Sequence, residues 1–217
     1  MATFVELNHV LENGMRAYPG LPNPRFEPIV DHESSRSRYD GRAEFYLGKA
    51  DFPCNVGTYL DAPFHRYRDG PDLSQLELRA LVGLPGLVFD GEPDSDRKIV
   101  IERGVADLTG RAVLVRTGWD ERWGTDAYWD PGPWLAPETL VTLIDGRAAL
   151  VGVDFWNVDN VDDPARPAHT ELLKAGILIV EHMCNLKSLP SSGFRFFAPP
   201  LRIAQGASFP VRAFAEL

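Results

Sequence analysis

An α/β domain with parallel strands at its centre is what this sequence predicts, and three observations predict it. Leu87-Val88-Phe89, Ala112-Val113-Leu114-Val115, Ala148 to Val153 and Ile177-Leu178-Ile179-Val180 are short, wholly apolar runs. Runs of that length fill strands buried on both faces. Two helix-then-strand units also follow one another in the second half of the chain, which favours α/β over the α+β alternative. The 217 residues, 44% hydrophobic and 24% charged, suit one domain of above average size with a sizeable core.

Taken in order, Phe4 to Leu7 and Phe45 to Leu47 read as short strands joined by long loops, of which Tyr18-Pro19-Gly20-Leu21-Pro22 is one. The segment from Asn55 to Asp61 reads as a polar strand ended by Pro63. After the strands at 87–89 and 112–115, Pro137 to Ile144 begins with Pro in its first turn, as helices do, and leads into the run from Ala148 to Val153. His169 to Ala175 reads as a second helix, stopped by Gly176 and followed by Ile177 to Val180. Pro200 to Ile203 and Ser208 to Phe214 read as a closing pair of strands. No fixed-period repeat or flexible linker interrupts the chain, so residues 1–217 form a single domain in this reading.

Charge and composition exclude several function classes. Twenty-two basic against 31 acidic side chains give a net charge of −9, which argues against a nucleic-acid or anionic-membrane surface. No apolar stretch approaches the ~18 residues of a membrane span. The N-terminus has neither the basic nor the apolar region of a secretory signal. Two cysteines, Cys54 and Cys184, are too few for a disulfide framework and are expected as buried thiols. A cytoplasmic protein is the expectation.

Reactive groups concentrate in two places. On an extended backbone, Asn55, Tyr59 and Asp61 share one face, and the turn at Pro63 brings His65 back beside them. A polar edge strand whose Asp caps a turn is the competing reading. The second cluster is His169-Thr170-Glu171 with Glu181-His182. Glu181 follows an apolar run and so sits at the end of a buried strand, where ligands collect in α/β sheets and where a carboxylate needs a partner or a metal. His169 reads as a ligand or as a solvent-facing residue of the helix start, His182 as a surface histidine, and Asp154 as a strand-end residue behind the site or a turn former. Trp119, Trp123, Tyr128, Trp129, Trp134 and Trp156 are core aromatics or a roof over a planar substrate.

Residues 55–65 resemble the H-x-G-T-H-x-D-x-P-x-H signature of the cyclase superfamily that includes bacterial kynurenine formamidase and isatin hydrolase. Further passages resemble it in the family's order: Val5-Glu6-Leu7-Asn8 with Tyr18-Pro19-Gly20, Leu114 to Trp119, Gly152-Val153-Asp154, and His169 through Glu181 to Asn185-Leu186. The resemblance implies a single-domain swivelling β/β/α fold with a barrel-like mixed sheet, assembled as a homodimer or homotetramer. It also implies hydrolysis of small cyclic or N-acyl amides and lactones at a zinc or manganese site. By position the family's ligands fall on Asn55, Tyr59, Asp61, His169 and Glu181, and its proton-transfer histidine on His65. Asn55 and Tyr59 replace imidazoles with far weaker ligands.

Two mechanisms follow. In one, Asp61, His169 and Glu181 hold a single Zn²⁺ or Mn²⁺ and His65 shuttles protons during hydrolysis. In the other no metal is bound, Tyr59 donates to a developing oxyanion, and His65 with Asp61 or Glu181 performs acid–base ring closure or dehydration. Asn55, Tyr59 and Trp119 are the expected contacts to a small, aromatic substrate. A non-catalytic descendant that binds a ligand or scaffolds an oligomer is the alternative from another class.

Overall fold

The computed structural model of the chain describes residues 2–104 and 106–217. The chain enters through β1 (Phe4–Glu6) and a two-stranded ribbon, β2 (Arg25–Val30) with β3 (Leu47–Asp51), whose connection carries the short helix α1 (His32–Ser35). There follow β4 (Tyr59–Asp61), β5 (Val82–Asp90), β6 (Lys98–Ile99), β7 (Ala112–Arg116), β8 (Trp134–Leu135), α2 (Pro137–Asp145), β9 (Leu150–Val153), α3 (Pro167–Lys174) and β10 (Leu178–Glu181). The chain closes with β11 (Ser192–Phe197), β12 (Ser208–Pro210) and β13 (Phe214–Glu216).

Nine strands form one mixed sheet in the order β1-β13-β11-β5-β7-β9-β10-β4-β12. Its centre, β5-β7-β9-β10, is parallel, and the flanks are antiparallel. The sheet must curl. Only Val211 to Ala213 separate β12 from β13, a reach of about 14 Å at most, yet the two strands hold the ninth and second places in the order, about 34 Å apart in a flat sheet. The short link brings both edges together: Leu7 donates its N–H to Ala213 and Val211 to Thr58. The curled, barrel-like α/β sheet expected from the sequence is therefore present.

Alternation along the parallel strands feeds two cores. Ala112 and Leu114, Leu178 and Val180, and Leu60 point into the curl, with Leu7, Phe194, Phe196 and Val211. Val113, Val115, Val151, Val153 and Ile179 point outward, where Leu140 and Leu143 of α2 and Leu172 and Leu173 of α3 cover them. Each fully buried side chain of this size stabilises the fold by about 1.5–3 kcal/mol. Close packing dictates a glycine in β5: a Cβ on Gly86 would stand 2.0 Å from the Phe194 ring. Because Leu60 enters the inner core, its neighbours Tyr59 and Asp61 project on the outer face, beside the start of α3.

Four expectations need correction. Pro200 to Ile203 is not a strand, since Pro199 and Pro200 lack N–H donors and Ile203 instead packs on the inner core. Ser208 to Phe214 is broken after Pro210, and its halves pair with β4 and with β11 and β1, not with each other. The early strand begins only at Leu47, because Phe45 is tied by its N–H to the Ser35 hydroxyl. Cys54 is exposed, whereas Cys184 is buried as expected. No helix among the described residues is long and apolar enough to cross a membrane.

Candidate active site

The strand predicted from Asn55 is cut to three residues because Gly57 takes a left-handed φ of 61°. What remains lies between two later strands. Tyr59 is opposite Glu181 of β10 and Pro210 of β12, and Asp61 is opposite Ile179 and Ser208. Same-face side chains on directly paired positions stand close enough to bond. The Tyr59 hydroxyl donates to Glu181 Oε2 at 2.5 Å, and the Ser208 hydroxyl donates to Asp61 Oδ1. Pro63 opens a 3-10 turn that returns His65, whose Nδ1 lies 3.4 Å from Ser208 Oγ and 3.7 Å from Asp61 Oδ1.

His169 comes from the first turn of α3, and Asp159 sets its orientation. The Asp159 carboxylate accepts the Ala168 N–H at 2.6 Å and the His169 N–H at 3.3 Å, capping the helix, while its Oδ2 holds His169 Nδ1 at 2.6 Å. That contact directs Nε2 toward Asp61 Oδ2 at 3.7 Å and Glu181 Oε1 at 3.6 Å. Carboxylate–histidine pairs of this kind fix the tautomer of metal-binding imidazoles. Glu181 Oε1 also accepts the Val158 N–H at 2.7 Å.

Electrostatics follow from burial and proximity. Asp61 and Glu181 are fully buried. Burial penalises the charged form of His169, but Glu181, Asp159 and Asp61 outweigh it and raise the imidazole to about 10. Burial and the Asp61 charge raise Glu181 to about 7, against the opposing pull of His169. Asp61 lies below the usual carboxylate range because His169, His65 and Ser208 outweigh its burial. Burial and the two carboxylates push Tyr59 well above an ordinary phenol, so it stays neutral. Burial lowers His65, which is therefore a neutral base near pH 7.

The donors of Asp61, His169 and Glu181 lie within 4.8 Å of one another. In a tetrahedral set with bonds of about 2.1 Å, donors stand roughly 3.4 Å apart, close to the spacings of His169 Nε2 from the carboxylates. Asp61 Oδ2 is buried and has no hydrogen-bond partner, an arrangement that costs stability unless something binds there. One imidazole with two carboxylates suits Zn²⁺ or Mn²⁺. Asn55 and Tyr59 stand beside this set, but the Tyr59 phenol directs its only proton to Glu181.

Asp61 lies next to His169, and His169 and Glu181 of this set line a cavity of about 440 Å³, together with Tyr18, Pro19, Leu21, Asn55, Tyr59, His65, Arg66, Asn157 and Arg166. Thus Asn55, Tyr59, His65, His169 and Glu181 are brought together around it as the sequence reading expected. Trp119 is not: its indole donates to the Tyr128 carbonyl at 2.9 Å and its ring lies under Arg122, away from the cavity. The roof is instead the Tyr18 loop, with Tyr18 against the edges of Trp129 and Trp156. His182 is no surface residue; the Tyr128 hydroxyl lies 2.8 Å from its Nδ1, and burial lowers it to about 3. Asp154 accepts the Thr117 and Gly118 N–H groups and the Thr117 hydroxyl, a turn role, and is not a cavity residue. Asp159, Ser208, Arg66 and Arg166 were missed. Asp159 lies ten residues before the histidine it holds and Ser208 faces Asp61 only through strand pairing, so neither carries a local signal.

A family model described as putative cyclase matches residues 5–160. Kynurenine formamidase of Bacillus cytotoxicus is 28% identical over 211 residues, 97% of this chain and 95% of that protein. The enzyme of the same name from Salinibacter ruber is 31% identical over 183 residues, 81% of this chain and 82% of its own. Among solved structures, isatin hydrolase A from Ralstonia solanacearum superposes with a TM-score of 0.82 at 24% identity, covering 100% of this chain and 92% of that one.

Proposed function

Because this chain belongs to the putative cyclase family, we propose that it hydrolyses a small cyclic or N-acyl amide, or a lactone, with Asp61, His169 and Glu181 holding one Zn²⁺ or Mn²⁺. The observation that carries this reading is Asp61 Oδ2, buried with no hydrogen-bond partner among the described residues, with His169 Nε2 3.7 Å away and itself 3.6 Å from Glu181 Oε1. The kynurenine formamidase name of its sequence relatives supports it. When bound, such an ion supplies Lewis acidity to a substrate carbonyl and acidifies a water.

The residues divide the remaining work. Asp159 binds Nδ1 of His169 and so leaves Nε2, facing the carboxylates, as the ring nitrogen that would give up its proton to a metal. Tyr59 and the Val158 N–H fix the two oxygens of Glu181. His65, neutral and at the cavity wall, takes a proton from the attacking water as the new C–O bond forms. It returns that proton to the amine or alcohol that leaves as the C–N or C–O bond breaks. Metal-free ring closure with Tyr59 as oxyanion donor would require the phenol to abandon a buried carboxylate. Assembly of two or four copies belongs to the same reading, supported by Ile29, Tyr46 and Leu47 exposed on and beside the β2–β3 ribbon; light scattering tests it.

The test is elemental mass spectrometry of protein purified without chelator, with His169→Ala alongside, and hydrolysis of N-formyl anilides, lactams and lactones by the same samples. About one zinc or manganese per chain, absent from the variant together with turnover, is the expected result. Fully active protein free of metal would overturn the reading.

A further inference from the structure

We propose that Arg66 and Arg166 anchor a carboxylate on the substrate, set apart from the reacting carbonyl. This deepens the hydrolase reading and rests on it: the substrates narrow to small amides, lactams or lactones that carry a free carboxylate.

Both arginines line the cavity of the site. Arg16, Arg36, Arg116, Arg195 and Arg212 are each committed to a carboxylate. Among the described residues the Arg166 side chain makes no ion pair and donates to the neutral Asn157 Oδ1, at 3.4 Å. Its backbone is held in the left-handed region, φ 48° and ψ 59°, directly before Pro167. Proline disfavours that conformation in the residue before it, and strain of this kind persists where surroundings or function hold it. Arg66 adjoins His65 in sequence, and its positive charge is felt at that imidazole.

Arg66 and Arg166 bring two positive charges to the lining of the cavity. The chain as a whole is acidic, with a net charge of −9; Glu181 lines the cavity, and Asp61 and Asp159 lie next to His169. A bound divalent ion would offset the charges of Asp61 and Glu181, so the guanidiniums are what gives the cavity of this acidic chain its further attraction for an anion. Guanidinium forks match the plane of a carboxylate and bind it through paired hydrogen bonds. Tyr18, Pro19 and Leu21 supply an apolar wall for the rest of the molecule. A substrate with a carboxylate for the arginines, an apolar body and a scissile carbonyl for the site of His169 and Glu181 fits this lining.

The experiment is a ligand-observed NMR titration of the protein as purified, at low ionic strength, with benzoate and its neutral counterpart benzamide as probes. Arg66→Gln and Arg166→Gln are titrated alongside, with circular dichroism melts to establish that each folds. Benzoate is expected to bind about tenfold or more tighter than benzamide, and each substitution to weaken benzoate about tenfold while leaving benzamide unchanged. Equal affinity for the two probes, or benzoate binding that both variants retain, would overturn the proposal. So would benzoate binding that disappears on adding chelator but survives the substitutions, since the anion would then be a metal ligand. No turnover is involved, so benzoate held by the arginines in a protein that hydrolyses nothing supports this anchor while refuting the hydrolase reading.

Discussion

Replacing Asp159 with Asn isolates the orientation of His169 from the stability of α3. The carboxylate has two tasks, accepting the Ala168 N–H at 2.6 Å and holding His169 Nδ1 at 2.6 Å. Asn caps helices about as well as Asp, so its oxygen can keep the first contact. Its NH₂ then faces Nδ1, which must become an acceptor, and the ring proton moves to Nε2, where the metal lone pair was needed. Loss of such a partner costs about 10–100-fold in metal affinity, or about 1.4–2.7 kcal/mol. Removing the Asp159 charge also eases loss of the proton from His169, which favours the metal, so the expected loss lies near the lower end, about tenfold. Competition with a chromogenic chelator at pH 8 measures it. The midpoint of thermal unfolding should move little in Asp159→Asn and fall in Asp159→Ala, which also loses a cap of about 1 kcal/mol. Metal affinity within twofold of the parent in the Asn variant would refute the orienting role.

His65→Ala should lower kcat about 10²–10⁴-fold with KM little changed, and because burial depresses this histidine, the acid limb of the kcat/KM profile should fall below pH 6.5; stopped assays across pH 4–8 check both. Tyr59→Phe removes the donor to Glu181 Oε2 and strands a buried carboxylate oxygen, at a cost of about 1–3 kcal/mol read from urea unfolding. With chelator present, His169 is raised from 6.5 to about 10 in the folded protein. Its stabilising contribution is therefore complete below pH 6.5 and lost as pH rises through 10. The urea midpoint should fall over that interval in the parent and less steeply in His169→Gln.

What was legible in the sequence was whatever local pattern encodes. Continuous apolar runs located the parallel strands, and Pro137 and Gly176 bounded helices. The order of polar residues from 55 to 65 placed Tyr59, Asp61 and His65 together. Less legible was everything set by contacts between distant segments. Asp159 and Ser208 act on residues they meet only after the sheet forms. The aromatic residues between 119 and 156 were visible as a group, but their orientation depends on partners such as the Tyr128 carbonyl for Trp119 and His9 for Trp123. His182 follows a strand and looks like a loop residue, yet its N–H to Phe155 O and the next residue's N–H to Val153 O hold it beneath the aromatics.

The short segment between Tyr59 and Asp61 has a consequence for how the enzyme comes into being. Its bond to Glu181 spans 122 residues and its bond to Ser208 spans 147. Contacts of such long sequence separation form slowly and late. The helix-covered side of the sheet can pack before β12 docks on β4, so burial of the outer core and completion of the site are separable events in folding. A chain can thus hold a native-like core while Asp61 still lacks Ser208 and Tyr59 still lacks Glu181.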